Sequence, residues 1–226
     1  MKTLHVPTLK SIVANRQYLA LSLAFLTAFL CVLLLRTNLQ SFDLTVNSWV
    51  PTIHSDWATP IAIAISYGFD TYSLLILSLA IAGYLFYKNY RPHSLLLLVA
   101  MGGNAVFVAL FKTLVQSPRP LNGVIIDTGY SFPSGHTAGS IVFCGVLAYF
   151  AWNHWKTTKP RTVLITSTVL LTSVVGFDRL YLNVHWFSDV LGGCLLGLFW
   201  LTFSILLFKL LINNKQNIKK PDPNKR

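Results

Sequence analysis

WATPIAIAISYGF, residues 57–69, is the stretch on which the fold turns. It is apolar and carries no charge, yet 13 residues of helix reach only about 20 Å, short of a hydrocarbon core of roughly 30 Å. Around it lie six better candidates for spanning helices: 17–36, 71–87, 93–112, 135–153, 162–177 and 187–211. Each comes near the roughly 20 apolar residues a crossing needs, the shorter ones with tilt or local thinning of the bilayer. Charge decides what 57–69 does. If it stays on one side, the N-terminus, Lys88 and Arg91, Lys156, Lys159 and Arg161, and the C-terminal end share a face that collects 14 of the 18 Lys and Arg residues. The opposite face keeps Arg36, Lys112, Arg119 and Arg179. If 57–69 crosses, every later loop changes side and the bias is lost. The basic face is therefore expected to be cytoplasmic, and 57–69 to be an interfacial or re-entrant helix on the outer side. The predicted fold is all-α: a polytopic membrane protein, a six-transmembrane-helix bundle with an extra short interfacial helix.

Composition agrees. Of 226 residues, 54% are hydrophobic and 11% charged, with mean hydropathy +0.57, too apolar for a soluble domain. The net charge of +11 sits at the ends and between apolar runs, which points to a membrane and away from nucleic acid. Cys31, Cys144 and Cys194 fall inside apolar runs without metal-ligand spacing and read as packing residues with no disulfide. The run from Tyr18 to Leu35 exceeds a signal-peptide core and has no small-x-small site after it, so it reads as an uncleaved transmembrane helix. The expected organisation is a cytoplasmic N-terminus over 1–16, a membrane domain over 17–211 and a basic, disordered cytoplasmic tail over 212–226.

Three polar clusters interrupt the apolar pattern, and the six-span topology puts all three on the outer side. The first is Lys112 with Arg119 and Pro120. A snorkelling Lys and a loop Arg would explain it. So would two cations reaching one anion, since Arg offers a planar fork and Lys a point charge. Pro118 and Pro120 end the helix and extend the chain around Arg119. The second is Pro133-Ser134-Gly135-His136, opening an apolar helix. Ser134 reads as an N-cap. The same helix start also offers N–H groups and a positive dipole end to an anion; Gly135 allows close approach, and His136 can donate a proton. The third is Asp178-Arg179 followed by His185 and Asp189. The i,i+4 spacing of His185 and Asp189 predicts one helical face. A carboxylate at the edge of a spanning segment is costly and is functional by default.

Together these clusters resemble the three signature motifs of the type 2 phosphatidic acid phosphatase superfamily: Lys112…Arg119-Pro120, Pro133-Ser134-Gly135-His136, and Arg179…His185…Asp189. The resemblance covers residues 60–211 in layout. It implies a six-helix membrane core and a reaction that uses no metal and no cofactor. The soluble vanadium haloperoxidases share the site, but the apolar spans argue against that branch. The family carries Ser where this chain has Asp178, so no phosphate-binding role passes to that position; Asp178 is expected to orient a base.

The resemblance further implies that His185 is the nucleophile, that Asp189 holds its other ring nitrogen, and that His136 protonates the leaving oxygen. Lys112, Arg119, Ser134, Gly135 and Arg179 would then bind phosphate. The expected activity is hydrolysis of a lipid phosphomonoester or diphosphate, such as undecaprenyl diphosphate, phosphatidylglycerophosphate or phosphatidate, at the extracytoplasmic face of the plasma membrane. The expected partners are the lipid phosphate and membrane lipid. Two alternatives stand beside it: a phosphotransferase using the same phosphohistidine, and a non-catalytic lipid-binding or transport protein.

Overall fold

The computed structural model describes residues 16–154 and 157–218. Among them the chain is helical, with α1 at Arg16–Trp49, a 3₁₀ turn at Val50–Ile53, α2 at Ala58–Gly68, α3 at Thr71–Tyr87, α4 at Arg91–Val115, α5 at Gly135–His154, α6 at Thr158–Tyr181 and α7 at Phe187–Ile218. Five of these are long and apolar enough to cross a membrane. A sixth crossing is counted if α2 and α3, which bend by 52° at the break between them, are taken as one span. The bend lies at Phe69 and Asp70, where Asp70 turns extended and its carboxylate caps α3 through the Tyr72 N–H at 2.9 Å. The expected short helix is thus α2, joined end to end with a 17-residue α3.

Two expected boundaries move. The first helix does not stop at 36 but runs to Trp49. No proline occurs between Arg16 and Pro51, and the added turns are held by α7: Phe42 packs edge-on to Phe187 at 4.9 Å, and Asp43 accepts hydrogen bonds from Ser188. The last helix does not stop at 211 but continues to Ile218, so the expected tail begins as helix. The expected N-terminal segment and the rest of the tail lie outside the described residues. The three cysteines are free.

The core sits between α3, α4, α5 and α7, where Leu74, Leu97, Met101, Val142, Val146 and Trp200 pack together. Gly103 makes room for the Trp200 indole, since a Cβ there would stand 2.1 Å from the ring. The indole N–H donates to the Ala100 carbonyl at 2.8 Å. Alongside, α1 packs on α7, with Ser22 donating to Thr202 across the pair at 3.0 Å, the kind of small polar contact that joins helices in lipid. Leu34, Ile76, Leu79 and Val163 stay exposed on the outside of the bundle, as a lipid-facing surface requires.

Candidate active site

The three motif clusters, far apart in sequence, meet at one end of the bundle. α4 ends at Val115, and Gln116 in the left-handed region closes it by donating to the Lys112 carbonyl at 2.9 Å. Pro118 and Pro120 then carry an extended segment past Arg119. The chain returns through a cis Phe132–Pro133 bond into α5. Ser134 is buried at the helix start and its hydroxyl accepts from the Thr137 hydroxyl at 3.0 Å and the Thr137 N–H at 3.4 Å, so the capping role holds. Gly135 lines the site, and a Cβ there would meet Thr71 and Val108 at 3.4 Å. Gly193 of α7 lets that helix pack against the start of α5, because a Cβ there would stand 2.5 Å from the Ser134 carbonyl oxygen.

His185 and Asp189 come together, but not on one helical turn. α6 ends at Tyr181, Asn183 takes a left-handed φ of 52°, and α7 begins only at Phe187. His185 therefore lies in the turn between them. Its Nδ1 lies 3.4 Å from Asp189 Oδ2 and 3.2 Å from Ser131 Oγ. Asp189 Oδ2 also accepts from the Trp186 N–H at 2.9 Å and from the Ser131 hydroxyl. The other ring nitrogen, Nε2, faces Arg119 Nη1 at 3.2 Å. An acceptor beside Nδ1 and a donor beside Nε2 select one neutral tautomer: the proton on Nδ1 and the free lone pair on Nε2. Burial, reinforced by the charges of Arg119 and Lys112, holds the imidazole well below its ordinary pKa, so His185 stays neutral.

His136 stands opposite. One of its nitrogens, one of His185 and a carboxylate oxygen of Asp127 all lie within 4.8 Å of one another. His136 Nε2 is 3.8 Å from Asp70 Oδ1, so the bend between α2 and α3 supplies its carboxylate. Arg119 is gripped from several sides: Nε donates to Gly129 O at 3.0 Å, Nη1 to Val184 O at 2.8 Å, and Nη1 lies 3.0 Å from Asp127 Oδ2. Lys112 Nζ donates to the Tyr130 carbonyl. Arg179 is fully buried and its Nε and Nη2 donate to Asp178 Oδ2. Asp178 thus holds the neighbouring guanidinium. Arg179 Nη1, buried, has no hydrogen-bond partner among the described residues.

The two histidines with Lys112, Arg119 and Asp127, but not Arg179 or Asp178, line one end of a cavity of about 540 Å³. Leu75 of α3 with Ala105, Val108 and Ala109 of α4 make its apolar side. Three participants were not legible as such in the sequence: Asp70, Asp127 and Ser131. Ser131 had a local signal, lying three residues before Ser134; the others are single polar residues whose partners are remote.

A model of the PAP2 superfamily matches residues 93–212, the span that contains every motif residue. This chain belongs to the PAP2 superfamily. Phosphatidylglycerophosphatase B of Bacillus subtilis is 28% identical to it over 200 residues, covering 87% of this chain and 95% of the relative. The undecaprenyl-diphosphatase of Sulfolobus acidocaldarius is 29% identical over 126 residues, 53% of this chain and 56% of the relative. Among solved structures, a transmembrane PAP2 type phosphatidylglycerolphosphate phosphatase from Bacillus subtilis matches with a TM-score of 0.76 and 26% identity, over 89% of this chain and 99% of that one. Aquifex aeolicus LpxE matches with a TM-score of 0.55 and 25% identity, over 72% and 93%. The chain is a multi-pass membrane lipid phosphatase of this superfamily.

Proposed function

We propose that this phosphatase removes a phosphoryl group from a lipid phosphate or diphosphate at the extracytoplasmic face of the plasma membrane, through a phosphohistidine on His185. One observation carries the reading: His185 and His136 bring a ring nitrogen each within 4.8 Å of one another in a pocket whose lining cations include Arg119 and Lys112. His185 Nε2 attacks phosphorus, the bond from phosphorus to the lipid oxygen breaks, and His136 delivers its proton to that oxygen. For a diphosphate the leaving group is the lipid monophosphate. Water then attacks the phosphohistidine, His136 takes a proton from it, and the P–N bond returns its electron pair to Nε2. Asp189 holds Nδ1–H and stabilises the imidazole as it gains charge. Arg119, Lys112 and the unpartnered Nη1 of Arg179 face the charge that develops on the phosphoryl oxygens.

Metal-independence has a physical basis. Asp127 with two imidazoles would suit a divalent cation by donor type. The Arg119 guanidinium, 3.0 Å from that carboxylate and 3.2 Å from His185 Nε2, puts a permanent positive charge where the cation would sit. Two features support the substrate and the side. The apolar wall between α3 and α4 suits an acyl or prenyl chain, with the headgroup at the cations. At the other ends of the helices Lys88, Arg91, Arg161 and Lys209 lie over aromatic rings, as expected of a cytoplasmic boundary; both termini, 1–16 and 212–226, would lie on that side. Phosphatidylglycerophosphate is the first substrate to try, because the relative aligned over 95% of its length carries that activity in its name. The test is phosphate release from phosphatidylglycerophosphate, undecaprenyl diphosphate and phosphatidate in EDTA, with His185→Ala as control. A requirement for Mg²⁺, or an active His185→Ala protein, overturns the mechanism.

A further inference from the structure

The buried carboxylate of Asp189 has a cation behind it that no motif contains. Asp189 is 0% exposed. Its Oδ2 takes every hydrogen bond, from Ser131 and Trp186, and faces His185. Its Oδ1 has no hydrogen-bond partner among the described residues. Toward that oxygen comes Arg36 of α1, whose Nη2 lies 3.7 Å from Oδ1. An ionised carboxylate this deeply buried is strongly unfavourable unless a counter-charge is close. Among the described residues, Arg36 is the one permanent cation within 4.0 Å of it; Arg119 lies on the other side of the His185 ring, at Nε2.

Arg36 is itself fixed. Nη2 donates to Ser117 Oγ at 2.5 Å, and the guanidinium lies over the Phe132 ring at 4.4 Å. Two turns further on, seven residues along α1, Asp43 accepts from the Ser188 N–H at 2.8 Å and the Ser188 hydroxyl at 2.7 Å, in the first turn of α7, the turn that also carries Asp189. The first helix therefore grips the start of α7 at two points, one of them by charge.

We propose that Arg36 is a positioning residue of the phosphatase reaction: it supplies the counter-charge for Asp189 and holds Oδ2 turned toward His185. This rests on reading His185 and Asp189 as the reacting pair. It also gives α1, which lies outside the matched segment 93–212, a part in the chemistry beyond spanning the bilayer.

The test uses the full-length protein in detergent and measures kcat and KM for Arg36→Met, Arg36→Lys, Asp189→Asn and the double variant Arg36→Met/Asp189→Asn. Outer-shell partners of this kind are worth about 10–100-fold in activity. Arg36→Met is expected to lower kcat by that factor with KM moving less than about threefold, and Arg36→Lys to recover most of it, the charge being what matters. In the Asp189→Asn background Arg36→Met should cost little more, since both act on one group. If Arg36→Met does not yield folded protein, Arg36→Gln takes its place in the same comparison. The proposal falls if kcat is unchanged, if Lys is no better than Met, or if the two substitutions multiply independently. If Asp189→Asn alone leaves kcat intact, the reacting pair itself is misread and both readings fall. If Asp189→Asn is crippled and Arg36→Met is not, only the role of Arg36 falls.

Discussion

Asp127 Oδ2 lies 3.0 Å from Arg119 Nη1, inside the pocket shared by His136 and His185. A carboxylate therefore occupies part of the cation cluster proposed to bind phosphate. The neighbouring carbonyls do the same: Thr128 and Gly129 accept from Arg119, and Tyr130 accepts from Lys112. Phosphate must compete with these oxygens. Asp127→Asn removes the charge and keeps the shape, so inorganic phosphate should inhibit the variant about 3–10-fold more tightly, the range expected for a partly exposed charge pair and somewhat beyond. An unchanged inhibition constant for orthophosphate would show that Asp127 leaves the pocket before the anion binds.

His136 and His185 should be separable by leaving group. p-Nitrophenolate needs no proton to depart, whereas a lipid alkoxide does. His136→Ala should lose lipid hydrolysis by about 10²–10⁴-fold, the usual worth of general acid–base catalysis. It should still acquire acid-labile, base-stable phosphate from radiolabelled p-nitrophenyl phosphate. His185→Ala should acquire none. Labelling of His185→Ala would place the nucleophile elsewhere.

The buried state of His185 carries a sign in pH. Its pKa lies well below the ordinary value of about 6.5, so between those two values the unfolded chain binds a proton at this residue that the native protein does not. Unfolding free energy then falls as pH falls below about 6.5, and is unaffected by His185 above it. Melting temperatures of wild type and His185→Gln between pH 7.5 and 5 should diverge only in the acid half, the wild type falling more steeply. Parallel curves would mean that His185 is charged in the native protein. For the same reason, protonation of His185 should not produce an acid limb in kcat/KM near pH 6.5.

Asp178 binds the Arg179 guanidinium through Nε and Nη2, which turns Arg179 but also neutralises part of it. Asp178→Ala frees a buried, undirected guanidinium and should lower phosphate release about tenfold. Asp178→Ser restores a hydrogen-bonding partner and should recover part of the loss. If both variants release phosphate at the wild-type rate, Asp178 does not orient Arg179 for the reaction. Arg119→Ala, which removes a donor at the proposed transition state, should cost more, on the order of 2.7–4 kcal/mol.

Much of the architecture was legible because its causes are local. An apolar run long enough for the bilayer must be a helix, since lipid offers its backbone no partners. The three motifs sit where such helices end, so Lys112, Arg119, Ser134, Gly135, His136, Arg179 and Asp189 could be brought to one side by counting spans alone. Local spacing also misled. The interval from His185 to Asp189 fits a helix, but Asn183 with φ 52° ends α6, and the pair meets through a turn.

What tertiary structure alone decided is which residues stand behind the motifs. Arg36, Asp43, Asp70 and Asp127 are isolated polar residues with no pattern around them, and their partners are distant; Asp43 and Ser188 are 145 positions apart. Spacing along one helix predicts what shares a face. It carries no information about which turn of a first helix will lie against the first turn of the last. That register is set by the packing of α1 on α7, and only there does the Asp189 carboxylate find its counter-charge.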